Sequence, residues 1–197
     1  MHKIILSVSG HPSSGKDTVA KYIAEHYGFT NWSGGDALRK YIRENNLGEP
    51  TREMLSEISI QLRKKRGPYF LTRMALETET PRLLVSGTRT VAEAESLKAH
   101  GGILIAVTAP REMRYERAKA RGRIGDNVSF EQFTTIEEQE ARGKDIFSQS
   151  VDDVIAMADY TIENTGTLPD LHVKTEELLK TLNIQKPELH KNINKVS

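Results

Sequence analysis

The sequence contains no cysteine, and this absence removes three kinds of chemistry at once. A chain without thiols forms no disulfide, holds no thiolate-bound metal and has no cysteine nucleophile. The six histidines show no spacing typical of metal ligands. Candidate chemistry therefore has to come from other residue types.

Neither a strong net charge nor a long apolar run is present. The net charge of +1 gives no reason to expect binding to nucleic acid or to a membrane surface. No run approaches the roughly 20 apolar residues of a membrane span, and the N-terminus lacks a signal-peptide cleavage pattern. With 197 residues, 37% of them hydrophobic, the sequence predicts one globular domain of a cytoplasmic enzyme. It does not indicate an oligomeric state.

A glycine-bounded loop near the N-terminus is the strongest motif. An apolar run at residues 4–8 precedes it, and a helical pattern follows it. This order is the layout of a P-loop, in which backbone N–H groups, a helix N-terminus and a lysine hold phosphates. The loop predicts binding of a nucleoside triphosphate by Gly10, Pro12, Ser13, Ser14, Gly15, Lys16, Asp17 and Thr18.

Asp17 departs from the usual motif, which has Ser or Thr after the lysine to ligate Mg2+. A carboxylate ~4 Å from a phosphate charge repels it by up to ~4 kcal/mol at an effective dielectric constant of about 20, and a metal ion between them reverses that sign. One hypothesis is that Asp17, with Thr18 beside it, holds Mg2+ directly or through water. The alternative is that Asp17 only occupies the first helical turn, where acidic residues complement the helix dipole.

Strand and helix patterns alternate along the rest of the chain, which predicts a parallel sheet covered on both faces. Further strands are predicted at 29–33, 83–85, 103–107 and 160–162. Helices are predicted at 34–45, from 51 to the Gly67-Pro68 break, from there to about 78, and at 91–100, 110–122, 130–141, 151–158 and 169–182. The domain is expected to cover residues 1–182, followed by a polar tail at 183–197.

Two further places carry candidates for phosphoryl transfer, a reaction that depends on positioning and charge neutralisation. Asp36 and Arg39 share one helix face after Gly34-Gly35. Either Asp36 contacts an acceptor and Arg39 contacts the acceptor's phosphate, or Asp36 is a helix N-cap and Arg39 is a solvated arginine. Arg89 follows a strand at the sheet edge where ligands bind in open α/β folds. This position favours a role in holding acceptor phosphate over the alternative of a surface arginine.

Arg114, Arg117 and Arg121 recur at spacings that place them on one helix face. Because they precede the glycine-bearing segment 122–127, the pattern is interpreted as a lid that closes over phosphates, with Arg117 and Arg121 as the main candidates. The alternative is a solvated helix face. Asn164, just after the last strand, either packs against the base or ribose of a nucleotide or belongs to a plain turn.

Together these segments resemble P-loop kinases of the nucleoside-monophosphate kinase group, in particular dephospho-CoA kinase and its archaeal relatives. The resemblance covers about residues 3–180 and rests on residues 10–18, 35–39, 85–89, 114–123 and 158–166. It implies an α/β three-layer fold with a five-stranded parallel sheet, acceptor-binding helices at 34–80 and a lid at 122–145. It also implies ATP as the phosphate donor, with Mg2+.

The resemblance implies a role for each candidate residue. Lys16 neutralises the donor phosphates, and Asp36 lies by the hydroxyl or phosphate of the acceptor. The resemblance implies that Arg39 and Arg89 bind the phosphate of the acceptor. It implies that Arg117 and Arg121 bind the transferring group. The expected function is ATP-dependent phosphoryl transfer to a small nucleotide-type acceptor, a nucleoside monophosphate or dephospho-CoA.

Two other functions stay open at this point. One is a P-loop ATPase or nucleotide-binding regulatory protein that transfers nothing to a small molecule. The absence of a guanine-reading Asn-Lys-x-Asp motif weakens the GTPase form of that alternative. The other is a binding module that has lost catalysis.

Overall fold

The structure is a computed structural model that describes residues 3–122 and 128–187. Its strands are β1 (Ile4–Ser9), β2 (Thr30–Ser33), β3 (Arg82–Ser86), β4 (Ile103–Thr108) and β5 (Tyr160–Glu163). Its helices are α1 (Lys16–Tyr27), α2 (Gly34–Glu44), α3 (Arg52–Arg66), α4 (Phe70–Leu76), α5 (Val91–Ala99), α6 (Arg111–Arg121), α7 (Phe130–Ala141), α8 (Val151–Ala156) and α9 (Leu168–Thr181). None of these helices combines the length and apolarity that a membrane span needs.

All five strands are parallel and lie in the order β2-β3-β1-β4-β5. Leu6 of the central strand lies opposite Leu84 on one side and Ile103 on the other. From β1 the chain crosses to the edge strand β2, returns to place β3 beside β1, and then adds β4 and β5 on the other side of β1. The strand order therefore reverses beside β1. Ligands of open α/β sheets bind at the carboxyl ends of the strands next to such a reversal.

The two faces of the sheet have separate apolar cores, because alternate residues of a strand point to opposite sides. On one face, Leu6 packs with Val19 of α1 and Leu179 of α9. On the other, Ile5 packs with Leu97 of α5. Full burial of each such side chain contributes about 1.5–3 kcal/mol. The predicted three-layer fold, a five-stranded parallel sheet with helices on both faces, is confirmed.

The helices between β2 and β3 form a small core of their own. Leu38 of α2, Leu62 of α3 and Leu71 of α4 are buried together. Thr51 begins α3 as predicted, since its side chain accepts a hydrogen bond from the Met54 N–H. This cluster packs against Trp32 of β2, the edge strand of the sheet.

The polar tail predicted from residue 183 does not begin there. Residues 183–187 pack against the domain: Ile184 is buried in the core beneath α1 and α9, and Lys186 pairs with Glu176 at 2.6 Å. The polar composition concealed this contact, because a single buried isoleucine anchors the segment. Residues 188–197 lie outside the described part of the chain.

Candidate active site

The loop between β1 and α1 folds tightly against the ends of two neighbouring strands. Three of its residues have positive φ: Gly10 (151°), Ser13 (59°) and Gly15 (102°). A Cβ atom on Gly10 would lie 2.3 Å from the Val107 carbonyl oxygen, and one on Gly15 would lie 2.3 Å from Nδ2 of Asn164. Glycine at both positions is therefore what allows the loop to approach β4 and β5 so closely.

Helix α1 begins without a side-chain cap. Its N-cap is Gly15, which has no side chain to accept a hydrogen bond from the first turn. The first N–H groups of an uncapped helix need a partner from water or from a ligand. The positive end of the helix dipole adds to their attraction for an anion. The start of α1 is thus suited to hold phosphate.

A cavity of about 340 Å³ lies against the start of α1. It is enclosed by the loop, by α6 and by the segment that follows β5. Its volume is within the range of small-molecule sites, roughly 300–1,000 Å³. The lining residues are Ser13, Gly15, Lys16, Asp17, Thr18, Arg117, Arg121, Asn164, Gly166, Thr167, Leu168 and Leu171.

Lys16 is nearly buried, with 7% of its surface exposed. Its Nζ lies 3.4 Å from Oδ1 of Asp17. Burial lowers the pKa of Lys16, the Asp17 charge opposes this effect, and the guanidinium groups of Arg89 and Arg121 lower the pKa further. Cations from two other segments therefore act on Lys16, and a bound anion would offset their repulsion.

Arg117 and Asn164 join α6 and β5 to the loop. Nη2 of Arg117 donates to the Asn164 backbone carbonyl at 3.1 Å, and Nδ2 of Asn164 donates to the Ser14 carbonyl at 2.8 Å. Nη1 of Arg117 is buried and has no hydrogen-bond partner among the described residues. Because an unpaired buried donor costs about 1–3 kcal/mol, a ligand oxygen in the cavity would stabilise this group.

The far wall of the cavity is partly apolar. Leu168 and Leu171 of α9 line it together with Gly166 and Thr167. An apolar wall next to a cationic end suits a ligand that has a ring system and phosphates. Thr167, Leu168 and Leu171 were not predicted from the sequence. The available signal was Thr167, which caps α9 in a reciprocal pair with Asp170.

Asp17 and Thr18 both line the cavity, and the Asp17 side chain is 58% exposed. Mg2+ prefers oxygen ligands such as carboxylate, hydroxyl and phosphate. The two side chains fit an Mg2+ ion held beside a bound phosphate. Asp17 also occupies the first turn of α1, so its position suits the helix dipole as well.

Asp36 and Arg39 lie on α2 and do not line this cavity. Nη1 of Arg39 donates to Oδ1 of Asp36 at 2.9 Å, and the Asp36 side chain is 77% exposed. Ser33 caps α2, because its Oγ accepts from the Asp36 N–H at 3.2 Å. The N-cap alternative for Asp36 is therefore wrong. Contact of Asp36 and Arg39 with an acceptor stays a prediction.

Arg89, predicted to hold acceptor phosphate, has protein partners in this structure. Its Nη1 donates to Oε2 of Glu140 at 3.1 Å and to Oε1 of Gln149 at 2.8 Å. Glu140 also accepts from Nε of Arg52 at 2.7 Å. Sequence reasoning missed Arg52, Glu140 and Gln149, because they are single residues on distant segments with no spacing that relates them.

The basic strip predicted on α6 is divided in the structure. Arg117 and Arg121 line the cavity, whereas Arg114 is 5% exposed and pairs with Glu137 of α7. Burial lowers the pKa of Arg114 to about 10. The interpretation of the three arginines as one basic strip is wrong for Arg114, because Arg114 lies where α6 packs against α7.

The lid predicted at 122–145 contains α7, and its residues 123–127 lie outside the described part of the chain. Helix α7 packs on α6 through edge-to-face contacts of Tyr115 with Phe130 and Phe133, with ring centroids 5.3 and 5.6 Å apart. The assignment of this segment as a lid stays a prediction.

The sheet order and the loop define a P-loop protein with a kinase-like three-layer fold. Residues 6–141 match the model of a family described as an AAA domain. A solved structure of TT1252 from Thermus thermophilus has a TM-score of 0.61 and 24% identity, covering 92% of this chain and 99% of that one. Shikimate kinase from Bacteroides thetaiotaomicron also has a TM-score of 0.61, with 14% identity and coverage of 91% and 98%. At these identities the similarity supports the fold.

Relatives in archaea give the closer relationship. The UPF0200 protein of Aeropyrum pernix is 34% identical over 174 residues, which cover 86% of this chain and 89% of the relative. The chain belongs to the UPF0200 family.

Proposed function

We propose that this protein is an ATP-dependent kinase of a small nucleotide-type acceptor, a nucleoside monophosphate or dephospho-CoA. The observation that carries the proposal is the convergence of Lys16, Arg117 and Arg121 on the uncapped start of α1 in one cavity. Phosphoryl transfer needs such an arrangement, because negative charge develops on the oxygens around the transferring phosphorus. The fold that the chain shares with shikimate kinase supports the same class of reaction.

In the proposed reaction an acceptor oxygen attacks the γ-phosphorus of ATP, the bond from that phosphorus to the bridging oxygen breaks, and ADP leaves. Lys16 and the N–H groups of the loop hold the donor phosphates. Arg117 and Arg121 stabilise the charge on the transferring group. Mg2+ held by Asp17 and Thr18 would supply further charge neutralisation when bound.

A transfer assay with ATP labelled at the γ-phosphate tests the proposal. ATP and Mg2+ are supplied with a panel of nucleoside monophosphates and with dephospho-CoA, and we expect the label on one acceptor. Lys16→Met should abolish transfer. Lys21→Met is the matched control, because Lys21 lies on the same helix with its side chain 74% exposed. Label released only as free phosphate would contradict the proposal and favour the regulatory ATPase.

Asp36→Asn distinguishes the two acceptors. A nucleoside monophosphate attacks through a phosphate oxygen that is already ionised, so it needs no base. Dephospho-CoA attacks through a hydroxyl, which a carboxylate helps to deprotonate. Near-total loss of turnover with intact acceptor binding indicates the hydroxyl, and a mild effect indicates the phosphate. Glu44→Gln is the control, since Glu44 is an exposed acid on the same helix, paired with Lys40.

A further inference from the structure

His11 lies in the P-loop, between Gly10 and Pro12, and is the one residue of positions 10–18 without a predicted role. Its backbone carbonyl accepts from the Ser14 N–H at 3.2 Å, which closes a turn over residues 11–14. Nε2 of its side chain lies 3.0 Å from Oδ1 of Asp152 in α8. His11 therefore joins the P-loop to α8.

The contact with Asp152 fixes where the neutral imidazole carries its proton. A carboxylate oxygen can only accept, so Nε2 is the protonated nitrogen and Nδ1 has a bare lone pair. Nδ1 is buried and has no hydrogen-bond partner among the described residues. The His11 side chain as a whole is 18% exposed, and that of Asp152 is 42% exposed. A second proton can therefore bind only at Nδ1, where the described residues offer it no acceptor.

Charged side chains from three helices act on the imidazole. Burial lowers the pKa of His11, and the charge of Arg114 in α6 lowers it further. The carboxylates of Asp152 in α8 and Glu140 in α7 oppose this shift without reversing it. Arg142 lies behind the pair, with its Nε 3.8 Å from Oδ2 of Asp152. His11 is thus mostly neutral at pH 7 in the free protein.

A triphosphate in the P-loop would change this balance. Negative charge near an imidazole favours its protonated form, which burial and the Arg114 charge disfavour in the free protein. Asp152 already accepts from Nε2, so a counter-ion for the imidazolium is in place before the proton arrives. Binding of an anion and binding of a proton at His11 should therefore promote each other.

We propose that His11 is the proton-binding group of the P-loop, and that its neutral hydrogen bond to Asp152 becomes an ion pair when the donor phosphates bind. The proton comes from solvent and binds at Nδ1, and no bond between heavy atoms changes. The inference rests on the proposed function, because it needs a triphosphate in the P-loop, but it holds for any acceptor. It makes ATP binding stronger in acid.

The test follows the imidazole of His11 by NMR in the whole protein. Its resonances are assigned from their loss in His11→Gln, and the protein is titrated with and without a non-hydrolysable ATP analogue and Mg2+. In the free protein we expect the Nε2–H tautomer and a titration midpoint below 6.5, and the analogue should raise that midpoint. His26 is an internal control. It lies in the last turn of α1, roughly 15 Å from the start of that helix, and its resonances should not respond.

The variant His11→Gln measures the size of the effect. Glutamine keeps an N–H donor for Asp152 but does not titrate. The analogue should bind the wild type and His11→Gln alike at about pH 8, where His11 is neutral. At about pH 5.5 it should bind the wild type at least about threefold more tightly, because only the wild type gains a positive charge. Titration of the analogue itself affects both proteins equally.

A second pair of variants tests the role of Asp152. Asp152→Asn keeps a hydrogen-bond acceptor but removes the counter-ion, so the midpoint of His11 should fall with and without the analogue. Asp153→Asn is the matched control, since it removes the same charge from the next, exposed position of α8. It should shift the midpoint less. Equal shifts in the two variants would contradict the pairing of His11 with Asp152.

The outcomes separate this inference from the proposed function. If the analogue binds but leaves the midpoint of His11 unchanged, the inference is overturned and the kinase proposal stands. The same holds if the affinities of the wild type and His11→Gln change in parallel with pH, as a purely structural hydrogen bond predicts. If the analogue does not bind at all, the proposed function fails and the inference fails with it. Should His11→Gln fail to fold, sequential assignment of the wild-type protein identifies the same resonances.

Discussion

Asn164 donates from Nδ2 to the Ser14 carbonyl over 2.8 Å, so the end of the last strand is fixed to the loop after the first. The Asn164 backbone carbonyl in turn accepts from Arg117. One residue, 7% exposed, thus connects β5, the loop and α6. These are the three segments that enclose the cavity at the start of α1.

Asn164→Ala should destabilise the protein and weaken ATP binding. The substitution leaves the buried Ser14 carbonyl without its donor, which costs about 1–3 kcal/mol. Urea unfolding measures the stability, and calorimetry measures the affinity. The control is Asn45→Ala, which removes an exposed amide that donates to the Tyr41 carbonyl at 2.8 Å and should cost less than about 1 kcal/mol. Equal costs for the two variants would contradict the connecting role of Asn164.

Gly15→Ala should lower the free energy of unfolding by more than the same change does at a glycine with open space around it. At Gly15 the new methyl group would lie 2.3 Å from Asn164 Nδ2. Gly101 also has positive φ but has nothing within 4 Å of its Cβ position, so Gly101→Ala carries only backbone strain of about 1–2 kcal/mol.

A double-mutant cycle identifies the cause of the Gly15 effect. In Gly15→Ala/Asn164→Ala the clashing amide is gone, so the summed cost of the two single changes should exceed that of the double variant by at least about 0.5 kcal/mol. Urea unfolding of the four proteins gives the coupling. Strict additivity would show that strain at φ 102°, and not contact with Asn164, decides the cost.

The sequence predicted the sheet well, because its signals are local. Apolar runs define the strands, and Gly28 and Gly122 end α1 and α6 in the left-handed conformation that favours glycine. The P-loop was equally readable, since its glycines, lysine and helix start are contiguous.

The contacts of Arg89 could not be predicted in this way. Glu140 of α7 accepts from Arg89 at the β3 exit and from Arg52 of α3, which are 51 and 88 positions away in sequence. No periodicity relates such residues, because their proximity arises from how helices pack on the sheet. Arg114 shows the same limit: helical spacing groups it with Arg117, and packing against Glu137 separates the two.

Proton uptake by Lys16 should accompany ATP binding at alkaline pH. Burial lowers the pKa of Lys16, although Asp17 opposes this, and bound phosphates raise it again. Above the lowered pKa the free protein has lost this proton, so binding takes one up and affinity falls as pH rises. Calorimetry in two buffers of different ionisation enthalpy measures the uptake. Lys16→Met should show no proton uptake, and Lys21→Met should match the wild type. Proton uptake that survives in Lys16→Met would contradict its assignment to Lys16.

The same pKa shift sets the sign of a stability effect. The unfolded chain binds the Lys16 proton more tightly than the folded one, so the free energy of unfolding should rise with pH between the lowered pKa and 10.5. Urea unfolding of the wild type and of Lys16→Met across this pH range isolates the contribution of Lys16 to the free energy of unfolding. If the difference in unfolding free energy between the two proteins stays constant with pH, the pKa of Lys16 is unchanged by folding.

Arg63→Met should be among the most destabilising single changes in the chain. Arg63 is 1% exposed, and its Nε and Nη2 donate to Oε1 of Glu93 at 3.1 and 3.0 Å. Oε2 of Glu93 accepts from the backbone N–H groups of Arg89 and Thr90. The pair therefore supports the β3 exit that carries Arg89. Loss of Arg63 leaves a buried carboxylate uncompensated, at a cost of about 3–5 kcal/mol.

The double variant Arg63→Met/Glu93→Gln tests whether that uncompensated charge is the cause. Removing the charge of Glu93 as well should restore about 1–3 kcal/mol relative to Arg63→Met, because the amide oxygen still accepts the two N–H groups and no charge stays buried. Arg66→Met, at the exposed end of the same helix, should cost no more than about 0.5 kcal/mol. Urea midpoints of the four proteins decide. If the double variant is no more stable than Arg63→Met, lost packing of the long Arg63 side chain, and not the buried charge, explains the destabilisation.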